Sequence, residues 1–448
     1  MINTGLSRWT MAYFAAAFAA FLAAQLLMAL GLAYPAEPLM SARTLVAVHL
    51  VTIGWLTLLM LGALLQFVPV ITGSAVIGER AGLASLLAIG VGLIGMIVGF
   101  LALDGTLPAA CTGALALGGG AVVVGVALVA VTIGRALVAG RPLALPGRFV
   151  AAGLCFLCLT VLLGVSFALA LAWPDYFAWD GLVVHGLGLH IATGIIGWFT
   201  LTAIGVSYRL LSMFMLAPEE DGGIGRWVLR LATAGIGLFW AEPFFGGTPF
   251  AGIAASGGAL LSIIAAGLYL ADMVRIFRQR KRPVLELNSI AGAAALVAFG
   301  ASVLAFGALE FSGRLSAFVG PLIYLYLFGW LSGLGLGQLY KIVPFLTWLE
   351  RYGPRLGKEA VPRVQDLVSE RRAAPWFVAY FLAVAAGAVA GALGVPLVWR
   401  AAILVHLVAS ILIARELWRA RYGRPAALAV PAPPALSTTA FPQIGASP

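Results

Sequence analysis

Few residues of this chain could do chemistry, and its four histidines are the most informative of them. His49, His185, His190 and His406 each fall inside a long apolar run. Each lies five to ten residues in from the nearest charged end of its run, which is roughly 7–15 Å along a helix. We therefore expect all four to form one layer at a similar depth. Because ionisable residues are costly inside a bilayer, such a layer indicates a functional site.

Neutral imidazole is a common ligand of haem iron and of transition metals, so all four histidines are candidate metal ligands. The alternative for each is an interior residue that is simply hydrogen-bonded. His185 and His190 are five residues apart, about 140° around a helix, so they are poorly placed to bind one ion together. Glu242, inside the segment FWAEPFF, is either an interfacial or a functional carboxylate.

Apolar runs long enough to cross a bilayer must position these residues. A span needs about 20 apolar residues. The sequence predicts an all-α polytopic membrane protein with twelve spans, at about 11–33, 44–71, 82–103, 109–134, 149–173, 182–216, 227–245, 250–274, 288–309, 316–347, 376–393 and 398–418. The run that follows Arg8 lacks a small-residue cleavage site, so we expect it to remain as a helix.

The distribution of basic residues predicts the orientation. With the N-terminus inside, 24 Lys and Arg fall on the cytoplasmic side and only Arg43, Arg314 and Arg400 fall outside. This bias predicts a multi-pass protein of the bacterial inner membrane with both termini in the cytoplasm. The apolar runs predict a twelve-helix domain over 1–424, and the charged segment 348–375 is predicted to be a cytoplasmic loop. The segment 425–448 is rich in Pro, Ala and Ser, which predicts a disordered cytoplasmic tail.

Composition excludes several classes of protein. Residues are 62% hydrophobic and only 10% charged, too few charges to cover a soluble surface, so the lipid bilayer is the main partner. The net charge of +10 does not indicate nucleic-acid binding, because the basic residues are spread over loops rather than gathered in one patch. Cys155 and Cys158 form a C-x-x-C inside an apolar run, which favours buried packing over redox chemistry.

An internal repeat relates the second, sixth and tenth spans. Each carries Gly-Trp, with Trp at Trp55, Trp198 and Trp330. A Gly follows seven residues after each Trp, at Gly62, Gly205 and Gly337. The three spans are four helices apart, so the chain is predicted to contain three four-helix units, at about 1–140, 141–283 and 284–424, rather than two halves of six helices.

Three four-helix units in one chain resemble the catalytic subunit of the haem–copper oxidases. The cbb-type branch, the nitric oxide reductases and the NnrS-like proteins are the nearest in character. In that family a His is followed six residues later by the Trp of Gly-Trp, and then by Gly-Ala-Leu-Tyr and Val-Pro. The matching residues here are His49, Gly54, Trp55, Gly62, Ala63, Leu64, Val68 and Pro69. The architectural resemblance spans about residues 10–420.

The chain also departs from the family's pattern. The family's copper site uses a His on helix 6 and a His-His pair on helix 7 after Trp-Ala-x-Pro, whereas here Pro243 is followed by Phe244 and Phe245. In helix 10, Tyr324 stands at the position that His49 holds in helix 2. The resemblance therefore implies an oxidase scaffold without bound copper or oxygen reduction.

The resemblance implies one haem b, with His49 as an axial ligand. His406 is the expected second ligand, because helices 11, 12, 1 and 2 enclose one pore in this scaffold, and His190 is the alternative. Tyr324 is expected beside the haem, and Arg43 and Arg400 near its propionates. A bis-His haem is low-spin and transfers electrons.

Two other functions remain open: a transporter or metal- or haem-handling protein, and a non-catalytic scaffold for other respiratory or assembly membrane proteins.

Overall fold

The computed structural model describes residues 4–73, 79–176, 180–218, 223–246 and 248–423. Side chains of residues 4–8, 79 and 180–185 lie outside the described part. Throughout the described ranges the regular structure is helical, without strands, as the sequence predicts. The predicted tail at 425–448 falls outside these ranges.

Twelve helices among the described residues are long and apolar enough to cross a membrane, which confirms the predicted number. We number them α1–α12: Trp9–Ala29, Ala42–Thr72, Arg80–Leu103, Ala109–Ala139, Leu145–Ala172, Gly186–Met215, Gly223–Phe245, Pro249–Arg278, Leu287–Phe311, Leu315–Arg351, Glu370–Leu393 and Pro396–Tyr422. The α10–α11 connection is shorter than the predicted loop at 348–375. It contains the 3-10 turns Gly353–Arg355 and Val364–Leu367.

Short connections make successive helices antiparallel, so the bundle has two ends of different charge. The basic end contains the α2–α3, α4–α5, α6–α7, α8–α9 and α10–α11 connections and most Lys and Arg. The arginine-poor end contains the other six connections, with Arg43, Arg314 and Arg400. Between the ends, outward faces are apolar; on α3, for example, Leu87, Val91 and Ile94 are exposed, as in a multi-pass protein that contacts lipid.

The three helices that share the Gly-Trp repeat also share an irregular backbone. Each changes from α-helix to π-helix for eight residues, at Leu50–Thr57 in α2, Thr193–Thr200 in α6 and Leu325–Ser332 in α10. Each π segment ends two residues after its Trp. Such π segments often mark functional sites. The division of the chain into three units by residue range remains a prediction.

Close helix packing explains why glycine recurs in these three helices. A Cβ at Gly54 would lie 2.5 Å from the Ala20 Cβ on α1. A Cβ at the equivalent glycines would be similarly close to side chains of α5 and α9, to Phe156 at Gly197 and to Ala298 at Gly329. Each of the three helices therefore packs its glycine against the first helix of its own predicted unit, where a larger side chain would not fit.

Two of the three buried tryptophans of the repeat form hydrogen bonds that connect one repeated helix to another. Trp198 Nε1 donates to Thr57 Oγ1 at 3.1 Å, which joins α6 to α2. Trp55 Nε1 donates to Ser332 Oγ at 2.8 Å, which joins α2 to α10. Trp330 Nε1 lacks a partner in the described part of the chain, so the third link is missing.

Candidate functional site

His49 lies on α2 immediately before the π segment, and its imidazole has one nitrogen engaged. Nδ1 is 2.7 Å from the Leu45 carbonyl one turn earlier. A neutral imidazole that donates from Nδ1 keeps its lone pair on Nε2. The ring lies 5.1 Å from Phe100 on α3, tilted by 33°. His49 is only partly buried.

His190, on α6, has the same arrangement with different partners. Its Nδ1 is 3.0 Å from the Thr160 carbonyl on α5. Gly164, one turn along α5, allows this approach, because a Cβ there would lie 3.1 Å from His190 Cε1. Phe167 packs edge-on against the ring at 5.7 Å. His190 is also only partly buried.

The two histidines lie on α2 and α6, which share the Gly-Trp repeat, and each has Nδ1 beside a backbone carbonyl. Their aromatic neighbours come from α3 for His49 and from α5 for His190. A histidine whose Nδ1 hydrogen-bonds to a carbonyl presents Nε2 in a fixed direction, which is the usual arrangement of a metal-bound imidazole.

His406, on α12, lies in a different environment. Its side chain is completely buried, and Nδ1 is 3.3 Å from the Tyr324 hydroxyl. Four rings surround it at 4.7–6.1 Å between centroids: Phe21, Tyr324, Phe328 and Tyr380. Its Nε2 is buried without a hydrogen-bond partner in the described residues. We call this group the aromatic enclosure.

Aromatic side chains pack between α1, α2 and α10, with Phe21 stacked on Trp55 at 4.3 Å and on Phe328 at 5.9 Å. Tyr324 lies beside His406 as a hydrogen-bonding partner. The pairing of His49 with His406, and the alternative with His190, remain predictions.

The two arginines expected near haem propionates have different neighbours in this structure. Arg43 binds the α3–α4 connection, with Nε 2.6 Å from Asp104 Oδ2 and a weaker contact to Glu37. Arg400 is exposed at the start of α12, where its guanidinium lies against Gly31. Their role as propionate partners remains a prediction. The side chain of His185 lies outside the described part, so its predicted role as a ligand is also untested.

A second feature, which the histidines did not predict, is a cavity of about 410 Å³ between α6, α7, α8, α9 and α10. Its lining is mostly aliphatic and aromatic, and it includes both Glu242 and Glu310. Phe244 and Phe245, the residues at the family's copper-ligand positions, are exposed at the end of α7 and are not part of the lining. The sequence of α8 and α9 gave no sign that they enclose a cavity.

Hydroxyl groups lie at the inner wall of this cavity. Thr200 Oγ1 donates to the Ile195 carbonyl at 2.6 Å and lies 2.5 Å from the Tyr326 hydroxyl. Thr200 ends the α6 π segment and Tyr326 lies within that of α10. The irregular backbones of α6 and α10 therefore bring two hydroxyls together at the cavity.

Among the described residues, no group of three or more His, Cys, Asp or Glu side chains could hold a metal ion. No family model matches this chain, and no curated protein is similar to it.

Proposed function

We propose that this chain is a haem-binding membrane protein that takes part in electron transfer, with His49 and His190 as the axial ligands of one b-type haem. The observation that supports it is the matched state of the two imidazoles. Both are bound to a carbonyl through Nδ1, and both keep Nε2 unengaged in the described residues. This arrangement is what two axial ligands on separate helices require.

The surroundings also suit a flat, apolar group. Phe100 and Phe167 lie beside the two imidazoles from α3 and α5. Gly164 removes side-chain bulk next to His190. When bound, a haem with two histidine ligands would supply one-electron transfer without an open coordination position. The protein's own contribution is to fix both rings through the Leu45 and Thr160 carbonyls, which keeps ligand reorganisation small when the iron changes charge.

The resemblance to haem–copper oxidases supports the same proposal, since His49 stands in that family's helix-2 pattern. The skew of basic residues supports a bacterial inner-membrane location with the basic end in the cytoplasm. Electron donors, acceptors and partner chains of a respiratory system would be membrane proteins or would dock at either end of the bundle.

A visible spectrum tests the proposal directly. The full chain, expressed with ample haem and purified in mild detergent, should show a sharp low-spin b-type band after reduction by dithionite. A colourless preparation that also fails to bind added haemin would contradict haem binding. Reaction of the reduced protein with carbon monoxide is the control, because two histidine ligands leave no free position and the spectrum should not change.

A second candidate function is binding or transport of a small molecule. It is favoured by one specific observation, the cavity that contains Glu242 and Glu310. Clefts of roughly 300–1,000 Å³ with few polar groups are the usual form of small-molecule sites.

A further inference from the structure

The polar side chains of the cavity share one property, which is that they present hydrogen-bond acceptors. The side chains with polar atoms in the lining are Thr200, Glu242, Ser262, Ser302, Glu310 and Tyr326. Ser262 donates its hydrogen to the Gly258 carbonyl and Ser302 donates to the Ala298 carbonyl, both at 2.8 Å. Only the lone pairs of these two hydroxyls remain for a ligand.

The hydroxyl hydrogens at the inner wall of the cavity are also already donated. Because Thr200 donates its only hydrogen to the Ile195 carbonyl, the hydrogen between Thr200 and Tyr326 comes from Tyr326. The tyrosine hydroxyl therefore has no hydrogen left for a ligand either. Glu242 and Glu310 are acceptors when ionised, and no ion-pair or hydrogen-bond partner for them is found in the described part of the chain. The lining contains no Lys, Arg or His among those residues.

The remaining lining indicates the shape of the ligand. Four aromatic rings contribute to it, from Phe239, Phe299, Phe306 and Tyr326, together with branched aliphatic side chains. Aromatic faces attract cations as well as apolar groups. Glu242 and Glu310 lie close to the ends of α7 and α9 at the arginine-poor end, whereas Thr200 and Tyr326 lie in the middle of their helices. The cavity therefore extends inward from that end.

We propose that this cavity binds a hydrophobic organic ammonium ion that enters from the arginine-poor end. Its charged nitrogen would lie at Glu242 and Glu310, and its apolar body would extend toward the four rings. An anion would meet only acceptors and carboxylates, and a neutral hydrocarbon would leave both carboxylates without a counter-ion in the ligand. The site is separate from His49 and His190, so this proposal goes beyond the haem proposal and does not depend on it.

Binding of radiolabelled 2-phenylethylamine to the full chain in lipid nanodiscs tests the proposal. The matched competitors are propylbenzene, which is neutral and of similar shape, and phenylacetate, which has the opposite charge. We expect saturable binding that unlabelled 2-phenylethylamine displaces. Propylbenzene and phenylacetate should each compete at least roughly tenfold more weakly, because neither offers a cation to the carboxylates. Equal competition by either one would overturn the proposal, as would absence of saturable binding.

Substitutions assign the site. Glu242→Gln and Glu310→Gln should each weaken binding by about tenfold, since each removes one of two charges that face the ligand. Asp175→Asn is the matched control, because it removes a carboxylate from the same end at an exposed position outside the lining. Ala255→Phe, which fills the cavity without altering charge, should abolish binding in a protein whose helical circular dichroism and melting temperature are unchanged. Retained affinity in all three cavity variants would overturn the assignment.

Discussion

His406 and the His49–His190 pair are the same residue type at a similar depth, yet the structure gives them different surroundings. His406 is completely enclosed by four rings and hydrogen-bonded to Tyr324. His49 and His190 are partly open, and each is held by a backbone carbonyl. The first arrangement is what a packed interior residue requires, and the second is what a ligand requires.

Two properties distinguish the histidines: the partner of Nδ1 and the burial of the ring. A carbonyl partner leaves Nε2 as the lone-pair nitrogen. His406 is completely buried beside a tyrosine hydroxyl, so our proposal assigns the ligand role to the other two.

Replacing the histidines one at a time should have the largest effect. We expect His49→Ala and His190→Ala each to abolish the low-spin band of the reduced protein or convert it to a high-spin one, because each removes one of two axial nitrogens. His406→Ala is the matched control and should leave the band in place. A band that disappears only in His406→Ala would show that the haem lies in the aromatic enclosure and that the comparison is reversed.

The stability of the haem-free protein should show the opposite order. His406→Ala removes a completely buried ring from among four others, so we expect a loss of about 2–5 kcal/mol in the free energy of unfolding. His49→Ala and His190→Ala should each cost about 1 kcal/mol or less, because both side chains are partly exposed. Unfolding by a denaturing detergent, followed by tryptophan fluorescence, measures the three values. Equal losses would remove the distinction between the two regions.

The hydrogen bonds of the buried tryptophans should contribute a smaller amount. Thr57→Val keeps the side-chain shape but leaves Trp198 Nε1 without an acceptor, which should cost about 1–3 kcal/mol. Thr57→Ser is the comparison, because it keeps a hydroxyl that can accept from Trp198 Nε1. The same unfolding assay checks both. A loss in Thr57→Ser as large as that in Thr57→Val would contradict a contribution from this hydrogen bond.

The smallest effect is expected at the arginine-poor end, where Arg43 pairs with Asp104. Hydrogen bonds from Thr106 and from the Arg43 guanidinium lower the pKa of Asp104 below its ordinary value of 3.8. Asp104 is exposed, so screening by solvent limits the contribution to about 0.5 kcal/mol.

Because the pKa in the folded state is the lower one, this stability is present above pH 3.8 and is lost as the pH falls through the folded value. Asp104→Asn should therefore lower the melting temperature slightly at neutral pH and leave the haem band unchanged. A change in the band in this variant would favour the predicted role of Arg43 at the propionates.

Local sequence properties predicted much of the fold. Twelve apolar runs correspond to twelve helices because bilayer thickness fixes how many apolar residues a span needs. The Gly-Trp repeat was visible because the same close approach to a neighbouring helix recurs three times, at Gly54, Gly197 and Gly329. The change to π-helix in the same segments was not predicted, because a π segment has no side-chain signature as clear as that of a cap or a turn.

By itself the sequence determined the helical class, the number of spans, the skew of basic residues and the repeated Gly-Trp positions, since each depends on residue type and spacing along the chain. The surroundings of each histidine could be seen only in three dimensions, because they depend on how helices far apart in sequence are arranged around one another. The same is true of the cavity, whose lining includes Glu242 and Glu310 as well as hydroxyls from α6 and α10. Hydrophobic periodicity identifies a buried face, but packing against neighbours decides whether that face encloses rings, a cofactor or an open space.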